Sequence, residues 1–247
     1  MPILWRFYSF RRIGVDRRYP RRMRILRQHP RRGVGVCVDS MDDLGEVEIS
    51  ERLAAAQPIP GVEGWAVNRW ETVPRPAAVL IPFLRQPTPD GQSSEWHILY
   101  TRRTDTLPEH RGQVAFPGGR SDPGDTSPEV TALREAQEEI GLQPDDVRLL
   151  GRLRELPTVV THYCVTPVVG VIPWPYPLRL EEKEVSHTFT IPLAWLADPA
   201  HREIRSRSLP GSTELFPVVY FQIYDGELLW GVSARITLDL LEALQLA

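Results

Sequence analysis

The hydrophobic pattern is densest at residues 77–84, AAVLIPFL, an unbroken apolar run flanked by polar and proline-containing segments. Its length and lack of alternation predict a strand buried on both faces. Residues 95–103, EWHILYTRR, read as its partner across a turn at Pro89-Asp90-Gly91. Residues 113–120, QVAFPGGR, predict a short strand running into a glycine turn, and residues 128–140 carry the clearest helical period. Further strands are expected at 147–156, 164–172 and 186–193, and a short helix at 193–198. Residues 216–225 and 226–232 predict a hairpin turning at Asp225-Gly226, followed by a closing amphipathic helix over 234–246. Upstream, residues 44–58 read as a short amphipathic helix ended by Pro58, with a connection over 59–76. Strands on both sides of one central helix, with another helix at the end, predict an α/β (α+β) fold in which helical layers cover a central mixed sheet.

Composition changes this picture mainly at the N-terminus. The 247 residues suit one domain with an extension. The net charge of -3 hides an asymmetry, because residues 1–40 hold eleven Arg against Asp16 and Asp39. That segment is +9 and the rest of the chain -12. A basic arm for nucleic acid or anionic lipid, a targeting peptide, a disordered extension and a start assigned too far upstream of Met41 all produce such a segment. The weight falls on a disordered or non-native extension over 1–40, a helix and connection over 41–73, and the working domain over 74–247. No apolar run reaches the ~20 residues of a membrane span. Cys37 and Cys164 form neither a disulfide framework nor a zinc spacing. A cytoplasmic protein with no membrane or nucleic-acid partner is expected, and a homodimer is compatible with the sequence.

The sharpest chemistry lies in the 128–140 helix. Ser127 suits an N-cap, Pro128 the first helical position and Gly141 the exit. Glu135, Glu138 and Glu139 stand at i, i+3 and i+4, within about 100° of one another on the helix. Leu133, Ala136 and Ile140 form a separate apolar sector for packing on the sheet. Three carboxylates so placed repel each other. A hard divalent ion such as Mg²⁺ or Mn²⁺ is an economical counter-charge. A solvated acidic face is the bland alternative. It yields because Phe116-Pro117-Gly118-Gly119 turns the preceding strand sharply and lets backbone approach a ligand. Arg134 beside Glu135 can fix that carboxylate, and Asp122 and Asp125 add further acids.

Here the chain resembles the Nudix hydrolases. Residues 134–142, REAQEEIGL, match the second half of the family's box in full. The first half departs: Asp125 stands where a Glu is usual, and the loop is one residue longer. The resemblance implies a Nudix-type α/β/α sandwich with a central mixed sheet. It also implies Glu135, Glu138 and Glu139 as ligands of Mg²⁺ or Mn²⁺, the Gly118 carbonyl as a further ligand, and Arg134 as the group that orients Glu135. Glu184, ahead of the strand at 186–193, falls where a loop acid often joins the metal site. The physical logic is independent of the name. A diphosphate repels an attacking anion, and divalent ions neutralise that charge and activate water.

The upstream run looks like the motif of the coenzyme A pyrophosphatase branch. Arg103, Gly112 and Phe116 to Gly119 match it, Thr104 replaces a Ser, and Pro108 stands where an Arg is usual. Coenzyme A carries a 3′-phosphate besides its diphosphate, and Arg102, Arg103 and Arg111 are fork-shaped donors for phosphate, with Gly118 and Gly119 beside them. Trp174, Tyr176 and Trp195 are candidates to stack an adenine. The expected reaction is metal-dependent cleavage of coenzyme A to 4′-phosphopantetheine and adenosine 3′,5′-bisphosphate. The same chemistry on ADP-ribose, a dinucleotide or a nucleoside triphosphate is the alternative, and Pro157 keeps ADP-ribose in play. A non-catalytic binding or regulatory module is the reading from another class. The intact carboxylate set argues against it.

Overall fold

The computed structural model describes residues 44–56, 74–88, 90–105, 111–158, 162–208 and 215–247. Residues 1–40, Pro58, most of the 59–76 connection, Pro89 and Pro108 lie outside them, so the expectations placed there do too. A first helix, α1 (Glu46–Ala55), precedes three strands: β1 (Arg75–Pro87), β2 (Ser94–Arg103) and β3 (Val114–Ala115). After β4 (Gly118–Arg120) comes the carboxylate helix α2 (Pro128–Ile140), then β5 (Arg148–Arg152), β6 (Leu156–Pro157), β7 (Tyr163–Val171) and β8 (Val185–Pro192). The chain closes with α3 (Leu193–Ala197), β9 (Arg202–Ser208), β10 (Leu215–Tyr224), β11 (Glu227–Trp230) and α4 (Gly231–Ala243).

The main sheet runs β3-β2-β1-β7-β5, with β4 also on β1, β6 on β7 and β8 on β2. β1 and β7 are parallel, from Arg75 opposite Tyr163 to Phe83 opposite Val171, and the other pairs are antiparallel. β1 alternates between two cores, as strand geometry requires. Ala78, Leu80 and Leu84 face a cluster with Ala132, Ala136 and Ile140 of α2. Ala77, Ile81 and Phe83 face a larger cluster that includes Ile49 and Leu53 of α1 and Ile236, Leu240 and Leu241 of α4. Helices therefore cover both faces of β1, which is why its sequence is unbroken apolar. Each such fully buried Leu or Ile contributes roughly 1.5–3 kcal/mol of burial energy.

The expected strand over 147–156 is two strands. Leu153 leaves the β5 ladder, and its N–H donates to the Pro167 carbonyl at 2.9 Å. β9 was not visible in the hydrophobic pattern. Its sequence, REIRSRS, is exposed almost throughout, and it is fixed by pairing with β10 from Phe221 opposite Arg202 to Leu215 opposite Ser208. The apolar face of α2 also differs from expectation. Ala132, Ala136, Ile140 and Glu139 are buried, while Leu133 is only half-buried. Among the described residues no helix is long and apolar enough to cross a membrane.

Candidate active site

Two glycines set the distance between α2 and the sheet. β4 pairs with β1 at Val79–Gly118 and Ala78–Gly119. Gly118 has φ 155°, and a Cβ there would lie 2.5 Å from the Ala78 carbonyl oxygen and the Val79 Cα. A Cβ on Gly119 would lie 2.5 Å from the Glu135 carboxylate. At Gly118 the obstacles are backbone and φ is positive, so the turn requires glycine there; a side chain at Gly119 would displace the Glu135 carboxylate. Ser127 Oγ accepts from the Val130 N–H at 3.3 Å and caps the helix that carries the acids.

Glu139 is the most buried of the three helix carboxylates, with 4% of the residue exposed. The Gly118 N–H donates to its Oε2 at 3.2 Å, and Arg103 Nη1 lies 3.6 Å from its Oε1. Burial pushes its pKa up to about 8; Arg103 and the Gly118 N–H oppose the rise, while Glu135 and Glu184 add to it. Burial also raises the pKa of Glu135, with Arg134 opposing and Glu138 and Glu184 reinforcing. Glu184 sits half-buried just before β8, where its carbonyl accepts from the Thr104 N–H at 2.9 Å. Glu138 turns outward, with Arg134 Nη1 3.3 Å from its Oε2.

Arg134 is locked from several sides. Its Nη1 lies 3.0 Å from Glu135 Oε1, and its Nη2 donates to the Arg120 carbonyl at 3.0 Å. Its Nε and Nη2 donate to the two Asp125 oxygens at 3.2 and 2.9 Å, a bidentate fork. Asp125 also accepts from the Asp122 N–H and from Thr131 Oγ1, both at 2.9 Å. The Arg134 bond, foremost among these, holds the Asp125 carboxyl well below the usual carboxylate range. The short acid at the point of departure from the family box is thus the anchor of Arg134.

The three candidate phosphate arginines do not converge. Neighbouring residues of a strand point to opposite faces. Arg103 faces Glu139, whereas Arg102 Nη1 donates to Glu227 Oε2 of β11 at 2.8 Å. His187 Nε2 lies 3.1 Å from the other Glu227 oxygen. Arg111 is exposed, in the loop ahead of β3. Glu227 escaped sequence reasoning because nothing in its hairpin ties it to a residue 125 positions away. Trp195 stacks on His201 at 4.3 Å, and Tyr176 Oη donates to Asp146 Oδ2 at 2.6 Å, so both rings serve internal packing.

Among the described residues no three His, Cys, Asp or Glu side chains converge tightly enough to coordinate one ion as they stand. The donor chemistry nonetheless fits a hard divalent cation. Glu135, Glu139 and Glu184 are carboxylates whose mutual repulsion is felt at Glu139, and they lie around a backbone turn that also offers carbonyl oxygens.

A family model described as the NUDIX domain matches residues 74–210. A protein of Escherichia coli O6:H1 (strain CFT073) described as an uncharacterized Nudix hydrolase, NudL, is 40% identical over 174 residues, 70% of this chain and 85% of that protein. The protein so described from Yersinia pestis (strain Pestoides F) is 41% identical over 163 residues, covering 66% and 76%. A solved binary complex of a C. elegans Ap4A hydrolase aligns with TM-score 0.38 and 19% identity, over 48% of this chain and 80% of that one.

Proposed function

The chain belongs to the Nudix hydrolases, enzymes that act on pyrophosphate bonds with divalent metal ions, and from that premise we propose that it cleaves coenzyme A to 4′-phosphopantetheine and adenosine 3′,5′-bisphosphate. The observation that carries the reading is the meeting of Arg103 and Gly118 at one carboxylate, Glu139. Both residues belong to the run that resembles the coenzyme A pyrophosphatase branch, and fifteen positions of sequence separate them.

Hydrolysis adds water across one P–O–P linkage and leaves a phosphate monoester on each product. Bound Mg²⁺ or Mn²⁺, held by Glu135, Glu138, Glu139, Glu184 and the Gly118 carbonyl, would supply charge neutralisation and an acidified water. The chain's own groups set the geometry. The Gly118 N–H orients Glu139, Arg134 orients Glu135, and Asp125 orients Arg134. Gly119 leaves room for the Glu135 carboxylate beside the turn. Arg103, at the carboxylate cluster, is the candidate donor to the anionic substrate, whereas Arg102 is engaged by Glu227.

Glu139→Gln should lower kcat about 10²–10³-fold, the scale of losing a preorganised electrostatic group, with a melting temperature within a few degrees of wild type. Wild-type-like turnover removes the mechanism. A panel of coenzyme A, its 3′-dephospho form, ADP-ribose and dinucleotides, read by product mass, tests the substrate. The highest kcat/KM is expected for coenzyme A; equal or higher values for ADP-ribose transfer the assignment to it.

A further inference from the structure

We propose that Arg103 is an internal counter-ion that holds the metal-binding carboxylate Glu139 in the metal-free enzyme and is handed to the substrate's anionic oxygens when a divalent ion arrives. This rests on reading Glu139 as a metal ligand. Three features of Arg103 point to it. Its backbone is fixed: its N–H donates to the Gln113 carbonyl at 3.0 Å, and the next N–H, of Thr104, donates to the Glu184 carbonyl at 2.9 Å. Its side chain is held more loosely. Nη1 stands 3.6 Å from Glu139 Oε1, beyond hydrogen-bond distance, and the buried Nε has no hydrogen-bond partner among the described residues. A structural ion pair at a buried carboxylate satisfies its donors. This one leaves a donor idle and a quarter of the side chain exposed, as suits a contact made to be exchanged.

The charge count gives the direction of exchange. Glu135 and Glu138 have Arg134 as their cation, and Arg134 is locked by Asp125. Glu139 has Arg103. A dication among Glu135, Glu139 and Glu184 takes over that neutralising task and repels the guanidinium. The freed fork then matches phosphate oxygens. Metal and substrate binding become coupled through one side chain: the ion lifts Arg103 off Glu139, and the linkage is reciprocal.

The test uses the full chain and Mn²⁺ alone, without substrate. In Arg103→Gln the Kd for Mn²⁺, read by electron paramagnetic resonance of the free ion, should fall about tenfold, while KM for the diphosphate substrate rises. Arg103→Lys, which keeps the charge, should bind Mn²⁺ within about twofold of wild type on the same scale. Unchanged or weaker Mn²⁺ binding by Arg103→Gln overturns the exchange. Glu139→Gln separates the two ideas. If it binds Mn²⁺ like wild type, the ligand reading fails. If it loses Mn²⁺ while Arg103→Gln is unaltered, only the exchange fails. Should Arg103→Gln not fold, the wild-type Arg103 Nε–Hε resonance decides. It should shift on Mg²⁺ titration, and a constant resonance overturns the proposal.

Discussion

At the scale of single residues, the site is built from charges that hold one another in place. Asp125 shows how. Its carboxyl carries two bonds from Arg134 and one each from Thr131 and the Asp122 amide, and its pKa is depressed in consequence. A carboxyl whose folded pKa lies below its unfolded value of ~3.9 stabilises the fold fully above that value. The stabilisation is lost as pH falls from there through the folded pKa. Asp125→Asn should therefore cost about 2 kcal/mol at neutral pH, the scale of hydrogen bonds to a charged group. The gap to wild type should shrink progressively below about pH 4. Denaturant midpoints at pH 7 and pH 3 check both statements. The sequence showed Asp125 as a departure from a pattern. It did not show the acid's partner, because reaching Arg134 depends on the turn in which the Asp125 N–H donates to the Asp122 carbonyl at 2.9 Å.

At the scale of elements, those that bury apolar surface were legible and those that do not were hidden. β1 and α2 announced themselves through an apolar run and a capped helical period. β9 has almost no buried side chain, so its pairing with β10 leaves no hydrophobic signature. α1 is instructive in the other direction. It lies outside the residues matched by the family model, yet Ile49 is fully buried in the larger core. Its lead-in is bonded to the sheet as well: the Leu44 carbonyl accepts from Trp96 Nε1 at 2.7 Å and from Arg85 Nη2 at 3.1 Å. Ile49→Ala should destabilise the enzyme by about 3 kcal/mol, as cavity-forming substitutions do. Equilibrium unfolding in denaturant measures this, and a change below about 1 kcal/mol would show that α1 is not part of the core.

At the scale of the whole molecule, charge separates the chain into a +9 stretch over residues 1–40 and a -12 remainder that contains every candidate ligand. All described residues fall within one compact unit, 38–247. A chain beginning at Met41 should keep the kcat/KM of the full chain within about twofold and the same melting temperature, since every candidate ligand lies beyond the basic stretch. A rise in KM of about tenfold at unchanged kcat would give the Arg-rich stretch a role in substrate capture. Sequence by itself determined the class of fold, the carboxylate helix with its caps, and the all-oxygen donor set, because local periodicity and side-chain chemistry act within one turn or one strand. Tertiary structure decided the rest. It buried Glu139 and turned Glu138 outward, gave Arg103 to the site and Arg102 to Glu227, and made Asp125 the anchor of Arg134. Those outcomes depend on which face of a strand or helix meets its neighbour and on residues far apart in the chain, and electrostatic energies follow distance and burial in space rather than separation along the sequence.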